Sequence, residues 1–179
     1  MNATDADRVI LVDDADREHG TMDKLEAHRR GALHRALSVI VARADGHLLL
    51  QRRAAGKYHS GDLWTNTCCS HPRPGEPVAV AAGRRLDEEM GFTCPLRPLF
   101  VTHYEAPVSN GLIENEFVHV FGGRFDGEPR PDPAEVSAWR WVAVDDLQRD
   151  MAEHPETYTV WFRTYLDAFE RDIRSLVAG

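Results

Sequence analysis

The chain has 179 residues, a length that suits one domain with a substantial hydrophobic core. Apolar residues make up 42% and charged residues 28%, as in ordinary globular proteins, and no apolar run is long enough to span a bilayer. The formal net charge of −8 disfavours a nucleic-acid partner, because contacts with phosphates dominate such affinity. An anionic substrate would therefore need basic residues or bound cations close to it.

The start of the chain and its cysteines predict the compartment. Residues 1–8 are polar and acidic, without the basic and then apolar stretches of a signal peptide. The three cysteines, Cys68, Cys69 and Cys94, make no even disulfide framework. We therefore expect one cytoplasmic domain over residues 1–179, a monomer with no membrane partner.

The predicted elements alternate between strands and helices. Asp45-Gly46 and Asn110-Gly111 are turn sequences, each lying between two stretches that favour strands. Pro77 suits the first turn of a helix, and Gly91 suits the position after its end. The expected strands cover 37–41, 47–52, 100–105, 112–124 and 139–142, and the expected helices cover 77–90 and about 158–177. This order predicts an α/β (α+β) fold, with a mixed sheet between helices in a single compact domain.

Charged residues at fixed spacing mark the segment 70–92. Glu76 is followed after seven residues by Arg84 and Arg85, and then by Glu88 and Glu89. This segment resembles the Nudix box, a loop–helix–loop that binds a metal–diphosphate. Positions 85, 88 and 89 share one helix face, where a hydrolase would gather carboxylates for several divalent ions. Arg85 replaces one carboxylate there and offers a contact for phosphate. The alternative is a solvated helix whose charges pair one turn apart.

Histidines and glutamates suggest a second metal site. Glu114 and Glu116 bracket one residue of a strand, so their side chains point to one face. With His28, His34 and His71 they would make an octahedral site with one open position. Each residue alone has a plainer explanation, and the spacing does not establish that they meet. The other six histidines are interpreted as surface or capping residues: His19, His47, His59, His103, His119 and His154.

Several motifs together resemble type I isopentenyl-diphosphate isomerase, from Val9 to the last helix. They are Lys24-Leu25-Glu26-Ala27-His28, Leu33-His34, Arg52-Arg53 with Lys57, Trp64-Thr65-Asn66-Thr67-Cys68-Cys69-Ser70-His71-Pro72, and Glu114-Asn115-Glu116. The resemblance implies a Nudix-like fold and an isoprenoid diphosphate as substrate. It implies that His28, His34, His71, Glu114 and Glu116 hold one divalent ion, which could be Mn²⁺, Mg²⁺ or Zn²⁺. It also implies that Glu89 and the backbone carbonyl of Cys69 help to hold a Mg²⁺ on the diphosphate.

The same resemblance implies the catalytic roles. Cys69 and Glu116 would transfer protons on opposite faces of the substrate, with Tyr104 beside Glu116. Trp161 would offer an aromatic face to a carbocation, although a residue at this place could equally be core packing. Lys24, Arg53, Lys57 and Arg85 are expected around the diphosphate, although surface solubility is the commoner reason for any single basic residue.

Two departures from the family pattern concern the loop of Cys69. Ser70 stands where the family usually has Gly, and it would be strained if that position needed a positive φ. Cys68 supplies a second thiol, and we expect it to pack in the core.

Two other functions stay open at this point. A Nudix hydrolase of a nucleoside diphosphate derivative would use Glu76, Glu88 and Glu89 but not Cys69, and a metal- or phosphate-binding module would need neither Cys69 nor Trp161.

Overall fold

The computed structural model describes residues 7–178, which form one mixed nine-stranded sheet and five α-helices. The strands are β1 Arg8–Val12, β2 Glu18–Asp23, β3 His34–Ala42, β4 His47–Arg53, β5 Trp64–Thr65, β6 Cys68–Ser70, β7 Leu96–Pro107, β8 Ile113–Arg124 and β9 Val136–Ala143. The helices are α1 Lys24–Arg30, α2 Val78–Met90, α3 Val144–Glu153, α4 Val160–Ala168 and α5 Glu170–Val177. The predicted mixed sheet between helices is confirmed.

Strand β3 lies at the centre of the sheet and is buried on both faces. Ile40 and its even-numbered neighbours pack into a core with α3, α4 and α5, whereas Val39 and the odd-numbered residues pack against α2. This division follows from the two-residue repeat of a strand. The two faces explain why this strand is almost continuously hydrophobic.

The register of the sheet brings polar residues of four strands together. Strand β8 runs parallel to β3 with Glu116 beside His34, and β7 runs antiparallel to β8 with Tyr104 beside Glu116. On the other side of β3, β6 pairs antiparallel and sets Cys69 beside Ser38. The sheet itself therefore gathers these side chains at one place.

Helix α2 begins and ends at the residues that the sequence suggested. Pro77 is its N-cap, so the helix starts one residue later than predicted. Gly91 ends it in the left-handed conformation, with a φ of 69°. A Cβ at Gly91 would lie 2.1 Å from the backbone oxygen of Arg130, so both its φ and its surroundings require glycine.

The C-terminal helix is not continuous, which corrects the prediction. Phe169 leaves the helical conformation between α4 and α5, and its ring stacks on Phe100 at a centroid distance of 4.0 Å. Four strands, β1, β2, β5 and β6, and two helices, α1 and α3, were not predicted from the sequence. Within residues 7–178, no helix is both long and apolar enough to cross a membrane.

Candidate active site

A cavity of about 440 Å³ opens where β3, β6, β7 and β8 meet α2 and α4. Polar and charged side chains dominate its wall. The lining includes Arg8, Lys24, Ser38, Arg53, Lys57, His59, Cys69, His71, Arg84, Arg85, Glu89, Tyr104, Glu114, Glu116, Glu135, Trp161 and Tyr165. The four predicted phosphate-binding residues and the four predicted catalytic residues all face this one space.

The predicted metal ligands meet beside the cavity, with His71, Glu114 and Glu116 on its wall. His71 Nε2 lies 2.8 Å from Glu116 Oε1, and His34 Nε2 lies 3.5 Å from the same oxygen. His28 Nε2 lies 3.7 Å from Glu114 Oε1. Ligand atoms of His28, His34, His71 and Glu116 all lie within 4.8 Å of one another. The structure thus brings together the residues that the sequence spacing alone did not connect.

The chemistry of this group suits a divalent cation. Glu114 and Glu116 are 4% and 6% exposed, and among residues 7–178 no Lys or Arg forms an ion pair with either. Two buried carboxylates without a cation are costly. Burial lowers the pKa of His71 to about 4, against the raising effect of Glu116, so its imidazole is neutral and has a free lone pair. The donors therefore fit a bound metal.

Tyr104 connects the two carboxylates. Its hydroxyl donates to Glu114 and lies 2.9 Å from Glu116 Oε2. Burial and the two neighbouring carboxylates raise the pKa of Tyr104 well above its ordinary value, so the hydroxyl keeps its proton. The position of Tyr104 is the one predicted, beside Glu116.

The interpretation of His59 as a surface or capping residue is wrong. Its side chain is 2% exposed, and Nε2 lies 2.7 Å from Glu114 Oε1. Together with His28 and Glu114 it forms a second group of possible metal ligands. Its loop has no periodic pattern, so the only available signal was its proximity to Arg53 and Lys57 in the same segment.

The two adjacent thiols lie on opposite faces of β6. Cys68 is 0% exposed and packs with α2, as predicted, whereas Cys69 faces the cavity. Ser70 has no positive φ, since the described non-glycine residues with one are Asp16, Ser60, Asp62 and Asn110. The strain considered for Ser70 is therefore absent.

Polar groups surround the thiol of Cys69. Trp161 Nε1 donates to Sγ at 3.1 Å, the thiol donates to Asn66 Oδ1 at 3.1 Å, and Ser38 Oγ lies 3.4 Å away. Burial raises the pKa of Cys69 to about 11, although the contacts of Ser38 and Asn66 lower it. The thiol therefore keeps its proton at neutral pH. Ser38, and Tyr165 that contacts its hydroxyl at 3.0 Å, were missed from the sequence.

Basic residues also line the cavity. Arg53 is 5% exposed, and its guanidinium donates to the backbone oxygens of His59 and Ser60. Burial, which is the largest cause, and the charge of Arg85 lower the pKa of both Lys24 and Lys57. Lys57 pairs with Glu135, yet burial still lowers its pKa, and a bound phosphate would add negative charge that favours the protonated form of both lysines.

Helix α2, in the Nudix-like segment, has both features considered for it: charges that pair with each other and charges that face the cavity. Arg84 pairs with Glu76 and Glu88, as a helix with paired charges would. Arg85 contacts Glu89 at 2.6 Å and Glu135 at 3.2 Å from inside the cavity. Glu89 is 2% exposed and also accepts a hydrogen bond from Gln51. Arg85 therefore faces the cavity with its charge already balanced by carboxylates.

Comparisons with known proteins give the family of the chain. A family model described as a NUDIX domain matches residues 32–162. The isopentenyl-diphosphate Delta-isomerase of Burkholderia multivorans is 54% identical over 161 residues, 90% of this chain and 92% of that one. Isopentenyl-diphosphate Delta-isomerase 2 of Aromatoleum aromaticum is 53% identical over 161 residues, covering 90% and 85%.

The fold has a close counterpart among solved structures. The crystal structure of the DR0079 protein of Deinococcus radiodurans superposes with a TM-score of 0.75 at 20% identity, covering 90% of this chain and 99% of that one. At this identity the likeness concerns the fold alone. The sequence relatives and the matched domain together show that the chain belongs to the isopentenyl-diphosphate Delta-isomerase family and has the NUDIX fold.

Proposed function

We propose that this protein catalyses the reversible 1,3-allylic proton shift between isopentenyl diphosphate and dimethylallyl diphosphate. The observation that carries the proposal is that the Cys69 thiol and the Glu116–Tyr104 pair face one cavity also lined by basic residues. Hydrolysis of a diphosphate requires no thiol. The names of the relatives agree with the isomerase and not with the hydrolase.

The reaction needs two proton-transfer groups on a substrate that lacks activating substituents. Cys69 and Glu116 lie on either side of β3, beside Ser38 and His34 respectively. One group gives a proton to the alkene while the other removes a proton from the neighbouring carbon. Because the reaction is reversible, each group is the acid in one direction and the base in the other. The Tyr104 hydroxyl, 2.9 Å from Glu116 Oε2, would supply a route for the proton on that side.

Protonation of the alkene leaves a tertiary carbocation-like intermediate. Trp161 lies at the cavity with its ring in contact with the Cys69 thiol, where this charge would form. A desolvated aromatic face stabilises a cation by about 2 kcal/mol or more. The buried surroundings also exclude water, which would otherwise trap the cation as an alcohol.

The diphosphate would bind to four basic residues that line the cavity, Lys24, Arg53, Lys57 and Arg85. Arg53 offers a guanidinium held by two backbone carbonyl oxygens, so little of its conformational freedom remains to be lost. Lys57 and Arg85 are paired with Glu135, and the incoming phosphate would compete with that carboxylate.

Two divalent ions complete the proposal. One ion would be held by His28, His34, His71, Glu114 and Glu116. It would fix the position of Glu116 and compensate the buried negative charge. Imidazole and carboxylate ligands suit Mn²⁺, Mg²⁺ and Zn²⁺, so the ion could be any of the three. Glu89 and the backbone carbonyl of Cys69 would hold Mg²⁺ on the diphosphate.

We expect this activity in the cytoplasm, where Cys69 stays reduced, and in a monomer of one domain that binds no nucleic acid.

The test is incubation of the protein with isopentenyl diphosphate and Mg²⁺ in D₂O. Isomerisation predicts dimethylallyl diphosphate and deuterium in the recovered allylic positions, both visible by NMR. Release of phosphate would indicate a hydrolase. If neither dimethylallyl diphosphate nor phosphate formed, the protein would be a binding module. The Cys69→Ala variant is the control, because it keeps the basic residues and the carboxylates.

A further inference from the structure

His59 has a buried ring nitrogen without a hydrogen bond. Nε2 is inaccessible and makes no hydrogen bond, although it lies 2.7 Å from Glu114 Oε1. Buried polar atoms in proteins usually make well-aligned hydrogen bonds, so this close but poorly aligned approach to a carboxylate needs an explanation. The ring nitrogen and the carboxylate oxygen are close, but no N–H points from one to the other. Two ligands of the same cation have this arrangement.

The other ring nitrogen supports this arrangement. His59 Nδ1 lies 3.1 Å from Ser60 Oγ, a hydroxyl that can accept its proton and leave Nε2 with a free lone pair. His28 and His34 have the same pattern. Their Nδ1 atoms donate to the backbone oxygens of Lys24 and Ala32 at 2.7 and 2.8 Å, which leaves each Nε2 unprotonated in the neutral ring. Such outer partners are typical of metal-binding histidines.

The two groups of ligand atoms share one residue. His28 belongs to both the group with His34, His71 and Glu116 and the group with His59 and Glu114. Because its Nδ1 is engaged with a carbonyl, His28 has a single nitrogen to offer. One lone pair binds one ion, so two separate ions sharing His28 are excluded.

The backbone around His59 is held firmly. Ser60 has a φ of 51°, which is unusual for a residue with a side chain, and its N–H donates to Ser109 Oγ at 2.9 Å. Arg53 binds the carbonyl oxygens of both His59 and Ser60. Unfavourable backbone geometry that persists at a cavity wall points to a side chain held in place for function.

We infer that His59 is a further ligand of the divalent ion, which makes the site four imidazoles and two carboxylates. The inference rests on the metal site of the proposed function. Six protein donors favour an octahedral ion, and four nitrogen donors favour Mn²⁺, Co²⁺ or Zn²⁺ over Mg²⁺. The same loop carries Arg53's carbonyl partners, so loss of the ligand would also loosen the diphosphate end of the cavity.

The experiment counts imidazole ligands directly. Metal-free full-length protein labelled with ¹⁵N in histidine is loaded with ¹¹³Cd²⁺, and the Nε2 signals split by cadmium are counted by NMR. We expect four in the wild type and three in His59→Gln, with the signal of His59 lost. Three split signals in the wild type, all retained in His59→Gln, would overturn the inference while leaving the proposed site intact. No split signal at all would overturn both.

Affinity gives the second readout. Titration of the metal-free proteins with Mn²⁺, followed by the EPR signal of the free ion, should show about 10- to 100-fold weaker binding in His59→Gln. His19→Gln is the matched control, since it removes an exposed imidazole on β2. Weakened affinity with an unchanged count of split signals would mean that His59 only positions Glu114, and would contradict its role as a ligand.

Discussion

The indole N–H of Trp161 donates a hydrogen bond to the Sγ of Cys69 at 3.1 Å. The same ring lies under the guanidinium of Arg53, 5.3 Å from its centroid. One aromatic side chain therefore contacts both the proposed proton-transfer group and a proposed phosphate-binding cation. A substrate whose diphosphate binds at Arg53 would have its hydrocarbon end against the ring and the thiol.

Substitution of the two adjacent cysteines should have very different effects. We expect Cys69→Ala to lower kcat for isomerisation by at least about 10²–10⁴-fold, because a proton-transfer group is lost. The Kd for the substrate should change little, because the phosphate contacts remain. Cys68→Ala should keep the activity and lower the free energy of unfolding by about 1 kcal/mol, because Cys68 is fully buried in the core. An inactive Cys68→Ala together with an active Cys69→Ala would show that the thiol has been assigned wrongly.

Glu135 should oppose the binding of substrate. It pairs with Lys57 and Arg85, two of the cations expected around the diphosphate. Glu135→Gln removes this competing charge, so we expect the KM for isopentenyl diphosphate to fall by about two- to fivefold at low salt, with kcat unchanged. The effect should shrink as salt is added.

A control for Glu135→Gln is Glu153→Gln, an exposed carboxylate at the end of α3. It changes the net charge equally without touching the cavity, so its KM should equal that of the wild type. A higher KM in Glu135→Gln would mean that this carboxylate holds Lys57 and Arg85 in their binding positions.

The sequence indicated which residues belong to the candidate site better than it indicated how the fold brings them together. Strand alternation put Glu114 and Glu116 on one face, but the parallel register that sets Glu116 beside His34 joins residues 82 positions apart and has no local signal. His59 lies in a loop where no periodicity marks the buried side. Phe169 interrupts the C-terminal helix and stacks on Phe100, a tertiary contact that overrides an otherwise regular helical pattern. Local spacing thus predicts faces, while long-range pairing decides which faces meet.

Removal of the metal should abolish the activity reversibly. The buried carboxylates Glu114 and Glu116 need a cation, and among the described residues no Lys or Arg pairs with them. We expect a strong chelator to stop isomerisation and a divalent ion to restore it. His71→Ala should retain less metal than the wild type by elemental analysis after gel filtration, since an imidazole 2.8 Å from Glu116 is lost. Equal occupancy in the two proteins would exclude His71 as a ligand.

Trp161 offers the sharpest test of the carbocation. Trp161→Phe should keep part of the activity, because a smaller aromatic face remains, whereas Trp161→Leu should lose much more, because it fills space without a π-face. Both variants lose the hydrogen bond to Cys69, so that bond cannot explain a difference between them. If Trp161 only packs in the core, both variants should be less stable and their activities should follow the folded fraction.

An amine analogue of the substrate separates the two roles of Trp161. Protonated where the carbocation would form, it should bind the wild type tightly, as a transition-state mimic. In Trp161→Leu its affinity should fall by more than the affinity for substrate, by about 2 kcal/mol or roughly 30-fold if the ring stabilises the desolvated cation. Both dissociation constants are measured by calorimetry on protein shown to be folded by its thermal unfolding. Equal losses for analogue and substrate would mean that Trp161 only shapes the cavity, and stabilisation of the cation would then have to come from Tyr104 and the carboxylates that it contacts.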